Sequence, residues 1–103
     1  MSVESKYSED KSVLTISIKG MFNFKLLNEF RQAYTDKVVK SIKIIIDLTD
    51  TTSLDSSALG MLLSMQEYLG KSDGEIKIVN CHEGVMKVFR ITRFDKKFSI
   101  DSI

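Results

Sequence analysis

The sequence predicts an α/β domain, a mixed β-sheet of four to five strands packed with three main helices in the order β-β-α-β-α-β-α-β. Three observations carry this. Leu14, Ile16 and Ile18 alternate with Thr15, Ser17 and Lys19, the two-residue period of a half-buried strand. Leu27, Phe30, Tyr34 and Val38 recur at spacings of three and four, which marks one buried face of a helix. Ile44, Ile45 and Ile46 are consecutive and β-branched, as expected of a strand covered on both faces.

The elements follow in chain order. Residues 3–8 read as a short edge strand, joined to strand 12–19 through the tight connection Glu9-Asp10-Lys11, so the two form a hairpin. Gly20 ends the second strand, and Asn23 caps a helix over residues 24–40 by accepting from a free backbone N–H. Residues 42–48 form a third strand and residues 49–54 a polar loop. From Asp55 the pattern is helical to Leu69, with Ala58, Leu62, Met65 and Leu69 on one side; Gly70 and Gly74 bracket the exit. Ile76, Ile78 and Asn80 alternate with Lys77 and Val79 in a fourth strand. Residues 84–92, carrying Val85, Val88 and Phe89, form a short third helix, and residues 98–100 add a last strand. Strands joined through helices imply parallel neighbours, while the opening hairpin is antiparallel. The polar side of the second strand implies a sheet with one face only partly covered.

A chain of 103 residues suits a single domain, here residues 1–103. Its net charge of +1 and scattered lysines, with Lys96-Lys97 the only adjacent basic pair, argue against nucleic-acid binding through bulk electrostatics. The single cysteine excludes an intrachain disulfide and makes a reducing, cytoplasmic location the default. Cys81 reads as a small buried residue. His82 beside it points to the opposite face, which weakens a Cys-His pair. Residues 1–10 lack the apolar core of a signal peptide, and the longest apolar runs are too short to cross a bilayer, so no membrane partner is expected. One Cys and one His do not complete a zinc site, and no phosphate-binding glycine loop is present; no cofactor or metal is expected. Nothing demands more than a monomer.

The informative segment runs from Leu48 to Leu63 as strand, loop and helix start. Asp55 or a neighbouring serine can cap the helix, and a carboxylate there suits the positive end of the helix dipole. Ser56 and Ser57 fall in the first turn. On local sequence alone Asp55-Ser56-Ser57 reads as a helix cap. A helical projection places Ser56, Gly60, Ser64 and Glu67 on one side, roughly opposite the apolar stripe, with Leu63 on its border. Glycine inside a helix costs roughly 1 kcal/mol against alanine. Gly60 therefore implies the close approach of another backbone, either a partner's or the domain's own.

Asp55-Ser56-Ser57-Ala58-Leu59-Gly60, following the strand Ile44-Ile45-Ile46-Asp47-Leu48, resembles the signature of STAS-domain anti-sigma factor antagonists. The likeness extends over nearly the whole chain, from the opening hairpin to Val85, Val88, Phe89, Phe94, Phe98 and Ile100. Ala58 stands where the family usually has glycine, which bears on how closely a partner backbone approaches Ser56. The resemblance implies a bacterial STAS-like fold and a non-enzymatic switch in transcription regulation. The unphosphorylated form would bind a serine kinase that is itself the anti-sigma factor, or a related partner. Phosphorylation of Ser56 would release it, and a metal-dependent serine phosphatase would restore the binding form. Asp55, Ser57, Gly60, Leu63, Ser64 and Glu67, with Thr51, Thr52, Ser53 and Leu54, would form the partner-binding surface. An alternative within the same superfamily is an accessory subunit of an ATP-driven lipid transporter. A serine hydrolase is disfavoured, because no nucleophile elbow surrounds Ser56 and His82 is the only histidine.

Overall fold

The computed structural model describes residues 2–35 and 42–102. The strands are β1 (Val3–Tyr7), β2 (Val13–Ile18), β3 (Gly20–Phe22), β4 (Lys43–Asp47), β5 (Thr51–Leu54), β6 (Lys77–Cys81) and β7 (Ser99–Ser102). The helices are α1 (Leu27–Thr35), α2 (Ser56–Leu69) and α3 (Glu83–Ile91). Five strands make one sheet in the order β1-β2-β4-β6-β7, and β3 pairs with β5 in a separate two-stranded ribbon.

The opening hairpin is antiparallel, with Val3 opposite Ile18 and Tyr7 opposite Leu14. Its turn is held by Asp10, whose Oδ1 accepts from the hydroxyls of Ser8 and Ser12, both at 2.7 Å, and from the Ser12 N–H. The Ser12 hydroxyl and then the Ser8 hydroxyl hold the Asp10 carboxyl down to about 2. The remaining pairs of the main sheet are parallel, β2 with β4, β4 with β6 and β6 with β7. This is the connection pattern expected when helices link successive strands.

Leu14, Ile16, Ile18, Ile44, Ile46 and Ile78 point to one sheet face and are buried. Phe30, Leu62, Met65, Val85 and Phe89 from the three helices join them in one core. The other face carries Thr15, Ser17, Ile45, Asp47 and Val79, which remain partly exposed among the described residues. The expectation of a partly covered face is met. That of a fully covered third strand is not. Ile45 lies between Thr15 and Lys77 on the open face, so the isoleucine run reflects β-propensity more than two-sided burial.

Three boundaries differ from the sequence reading. The first helix opens with a 3-10 turn, Phe24–Leu26, capped by Asn23 through Oδ1 and the Lys25 N–H at 3.0 Å. Its predicted continuation over residues 36–40 lies outside the described residues. In β6 the register shifts between Ile78 and Cys81, and Asn80 adopts a left-handed φ of 59°, so strict alternation ends there. Most consequential, the predicted loop 49–54 contains β5. Gly20, with φ of 83°, turns the chain out of β2 so that Met21 and Phe22 pair beside Ser53 and Leu54.

Candidate functional site

The site is built where β3 and β5 deliver the chain to their helices. The stretch before β5 is fixed by Asp47. Its Oδ1 accepts from the Thr49 hydroxyl at 2.6 Å, the Thr49 N–H at 3.0 Å and the Asn80 side chain at 3.1 Å. Burial pushes the Asp47 carboxyl up, but the Thr49 and Asn80 bonds outweigh it and the group titrates below its ordinary value. β5 then runs parallel to β3, and the Asp55 N–H reaches the Phe22 carbonyl at 3.4 Å.

Asp55 is the N-cap of α2, in extended backbone conformation. Its Oδ1 accepts from the Ser57 N–H at 3.0 Å, the Ala58 N–H at 3.2 Å and the Ser57 hydroxyl at 2.6 Å. The Ser57 hydroxyl first, and then the backbone bonds, hold the carboxyl below its ordinary 3.8 against the opposing effect of desolvation. The two serines are thus distinguished by geometry. Ser57 is half-buried and its hydroxyl is committed to the cap, whereas Ser56 is exposed and its side chain makes no hydrogen bond among the described residues.

Asp10, Asp47 and Asp55 all titrate lower in the folded chain than in the unfolded one. Such groups contribute stability that is complete above the unfolded value and is lost as pH falls through the folded value. The thermal midpoint is therefore expected to be level between about pH 5 and pH 8 and to fall below about pH 4. Asp55→Asn, which keeps a capping oxygen but no titration, should flatten part of that slope in a pH series of melting curves.

The predicted partner-binding residues are not equally placed. Thr52, Ser53, Gly60, Leu63, Ser64 and Glu67 are exposed, and Leu54 is half-buried. Thr51 is a correction: it is 1% exposed and its hydroxyl donates to the Ile18 carbonyl at 2.8 Å, tying β5 to the end of β2. It supports the surface from beneath and cannot be touched by a partner. A Cβ at Gly60 would meet nothing within 4 Å, so close packing inside the domain does not explain this glycine. Gly60→Ala is accordingly expected to raise stability by about 0.4–1 kcal/mol, read as a higher urea midpoint. Met61 is buried, and Tyr68 is 56% exposed.

Sequence reasoning missed two residues of this region. Met21 and Phe24, 63% and 65% exposed, stand on either side of Phe22, whose carbonyl receives the Asp55 N–H. No periodic signal marked them, because Met21-Phe22-Asn23-Phe24 read only as the approach to a helix.

Elsewhere, the Cys81 thiol is pushed up to about 11 by burial, with Asp101 and Asp47 adding to it, so it stays protonated at neutral pH. His82 stands at the N-cap of α3 with Nε2 2.6 Å from the Thr49 carbonyl oxygen. A carbonyl only accepts, so Nε2 is the donor in this bond. Among the described residues no helix is long and apolar enough to cross a membrane, and no cluster of three potential metal ligands occurs.

The family model of the STAS domain matches residues 5–102. The chain belongs to the STAS-domain family. A STAS-domain-containing protein of Pseudomonas aeruginosa (strain UCBPP-PA14) is 37% identical over 100 residues, covering 97% of this chain and 99% of that protein. Among solved structures, an anti-sigma factor antagonist from Mycobacterium paratuberculosis superposes with a TM-score of 0.77 at 24% identity, over 99% of this chain and 87% of that one. The anti-sigma factor antagonist SpoIIAA in its unphosphorylated form gives 0.60 at 16% identity, over 86% and 82%. At these identities the structural likeness is one of fold. In this STAS domain the serine pair therefore sits on a scaffold shared with known antagonists, at the head of α2.

Proposed function

We propose that this STAS domain is a phosphorylation-controlled anti-sigma factor antagonist that acts in the cytoplasm without enzymatic activity of its own. The unphosphorylated form binds a kinase-type anti-sigma factor, phosphorylation of Ser56 ends the complex, and a metal-dependent serine phosphatase resets it. The observation that carries this reading is the exposed, unengaged Ser56 hydroxyl beside a Ser57 hydroxyl locked onto Asp55.

The physics of the switch follows from the cap. A phosphate adds about −1.5 to −2 charges at neutral pH. The Ser57 and Ala58 N–H groups already donate to Asp55, so the new group competes for those donors or stays in solvent. It then adds to the Asp55 charge at the surface a partner must cover, where both charges lose water on binding. The helix dipole favours negative charge at this end, so the fold is expected to persist.

The test is phosphate transfer from labelled ATP in an extract of the source cells, with the site mapped by mass spectrometry. Wild type and Ser57→Ala should be labelled and Ser56→Ala should not. Undiminished labelling of Ser56→Ala would remove Ser56 from the mechanism.

A further inference from the structure

The exposed side of α2 continues past Ser56 into a groove between α1 and α2. β3 and β5 are parallel and each leads into a helix, so the two helices start side by side. Leu27, Arg31, Tyr34 and Thr35 line one wall of the groove, and Ser64 and Tyr68 the other. Ser56, Gly60, Ser64 and Tyr68 follow one another turn by turn, so the groove opens onto the serine face. Gly60, without a side chain, leaves that path clear.

The groove is anchored to the core. The Tyr68 ring meets Tyr34 edge-on at 5.7 Å, Tyr34 meets Phe30 at 5.5 Å, and Phe30 meets Phe22 at 5.2 Å. Most of the large exposed apolar residues belong to the elements that carry the groove or lead into it. Met21, Phe24, Leu63 and Tyr68 lie on α2 or on the segment leading into α1, leaving only Tyr7 and Ile91 of the large exposed apolar residues elsewhere among the described ones. Such concentration marks a docking surface more than chance exposure does. Arg31 adds one positive charge to the wall, and it pairs with no carboxylate among the described residues.

We propose that this groove receives an amphipathic helix of the partner protein, with apolar residues against Leu27 and Tyr68 and an acidic residue paired with Arg31. The inference rests on the antagonist reading and specifies which part of the partner meets the domain. A helix fits because the walls are helix side chains, which offer ridges to interdigitate but no open backbone groups for an added strand. The acidic residue follows from charge complementarity at Arg31.

The probe is a display library of helix-forming peptides, variable at apolar and charged positions, selected on the intact protein. Selected peptides should carry apolar residues at helical spacing and an Asp or Glu. Fluorescein-labelled copies should lose about tenfold or more in affinity on Arg31→Glu and on Tyr68→Ala, keep most of it on Arg31→Lys, and ignore Ile91→Ala. They should bind Ser56→Asp nearly as well as wild type, because they fill the groove and not the helix head. An empty selection, peptides without an acidic residue, or peptides indifferent to Arg31→Glu and Tyr68→Ala would overturn the groove and leave the Ser56 switch standing. Undiminished labelling of Ser56→Ala by the kinase would do the reverse.

Discussion

Ser56→Asp is expected to lower affinity for the partner by more than a hundredfold, about 3 kcal/mol, with the circular dichroism spectrum unchanged. Ser56→Ala is expected to bind like wild type. The contrast follows from what the side chain touches. In the free protein the Ser56 hydroxyl has no hydrogen-bond partner among the described residues, so its removal should change stability by no more than about 0.5 kcal/mol. A carboxylate there stands beside Asp55 and finds the Ser57 and Ala58 donors already engaged. In water the repulsion is screened, and the helix dipole offsets part of it. Under a partner the screening water is gone and the two charges face a dry surface. Fluorescence anisotropy with the anti-sigma factor recovered on a Ser56→Ala bait measures the difference. Equal affinities for the two variants would disconnect this residue from binding.

The largest stability effect is expected at Phe22. Its ring is fully buried against Phe30, 5.2 Å between centroids, on the strand that pairs with β5. Truncation to alanine typically costs about 3–5 kcal/mol, against a total of about 5–15 kcal/mol for a domain of this kind. The loss should reach the site as well, because the Phe22 carbonyl receives the Asp55 N–H and its neighbours hold the ribbon that starts α2. Phe24→Ala, two residues on and 65% exposed, should stay within about 0.5 kcal/mol. Urea unfolding followed by circular dichroism separates them. A Phe22→Ala midpoint close to wild type would mean that β3 does not anchor the serine helix.

What the sequence made legible divides along physical lines. Alternation in residues 14–18 and the helical stripe from Ala58 to Leu69 gave the sheet and α2, because burial on one face imposes a period that composition alone cannot mimic. A helix cap at Asp55-Ser56-Ser57 was readable because a carboxylate and two serines before an apolar stripe satisfy free N–H groups in few other ways, and the structure assigns it to Asp55. The β3–β5 ribbon was not. Each strand is short, Thr51 and Ser53 are polar, and the pairing joins residues about thirty apart, which no local pattern records. For the same reason Thr51 read as loop surface, although its buried hydroxyl is satisfied by Ile18. Ile45 misled in the opposite sense, since an apolar run does not state how many faces are covered. Which serine has the unengaged hydroxyl also lay beyond local sequence; the 2.6 Å bond from Ser57 to Asp55 decides it.

The most direct measurement compares the protein carrying phosphoserine at position 56, installed during translation, with the unmodified protein. Backbone amide spectra and titration against the anti-sigma factor are read on the same samples. Amide shifts confined to the α2 cap and the neighbouring ribbon, together with loss of the complex, are the predicted result. Undiminished affinity, or shifts spread through the five-stranded sheet, would contradict a switch that works by surface charge on an unchanged fold.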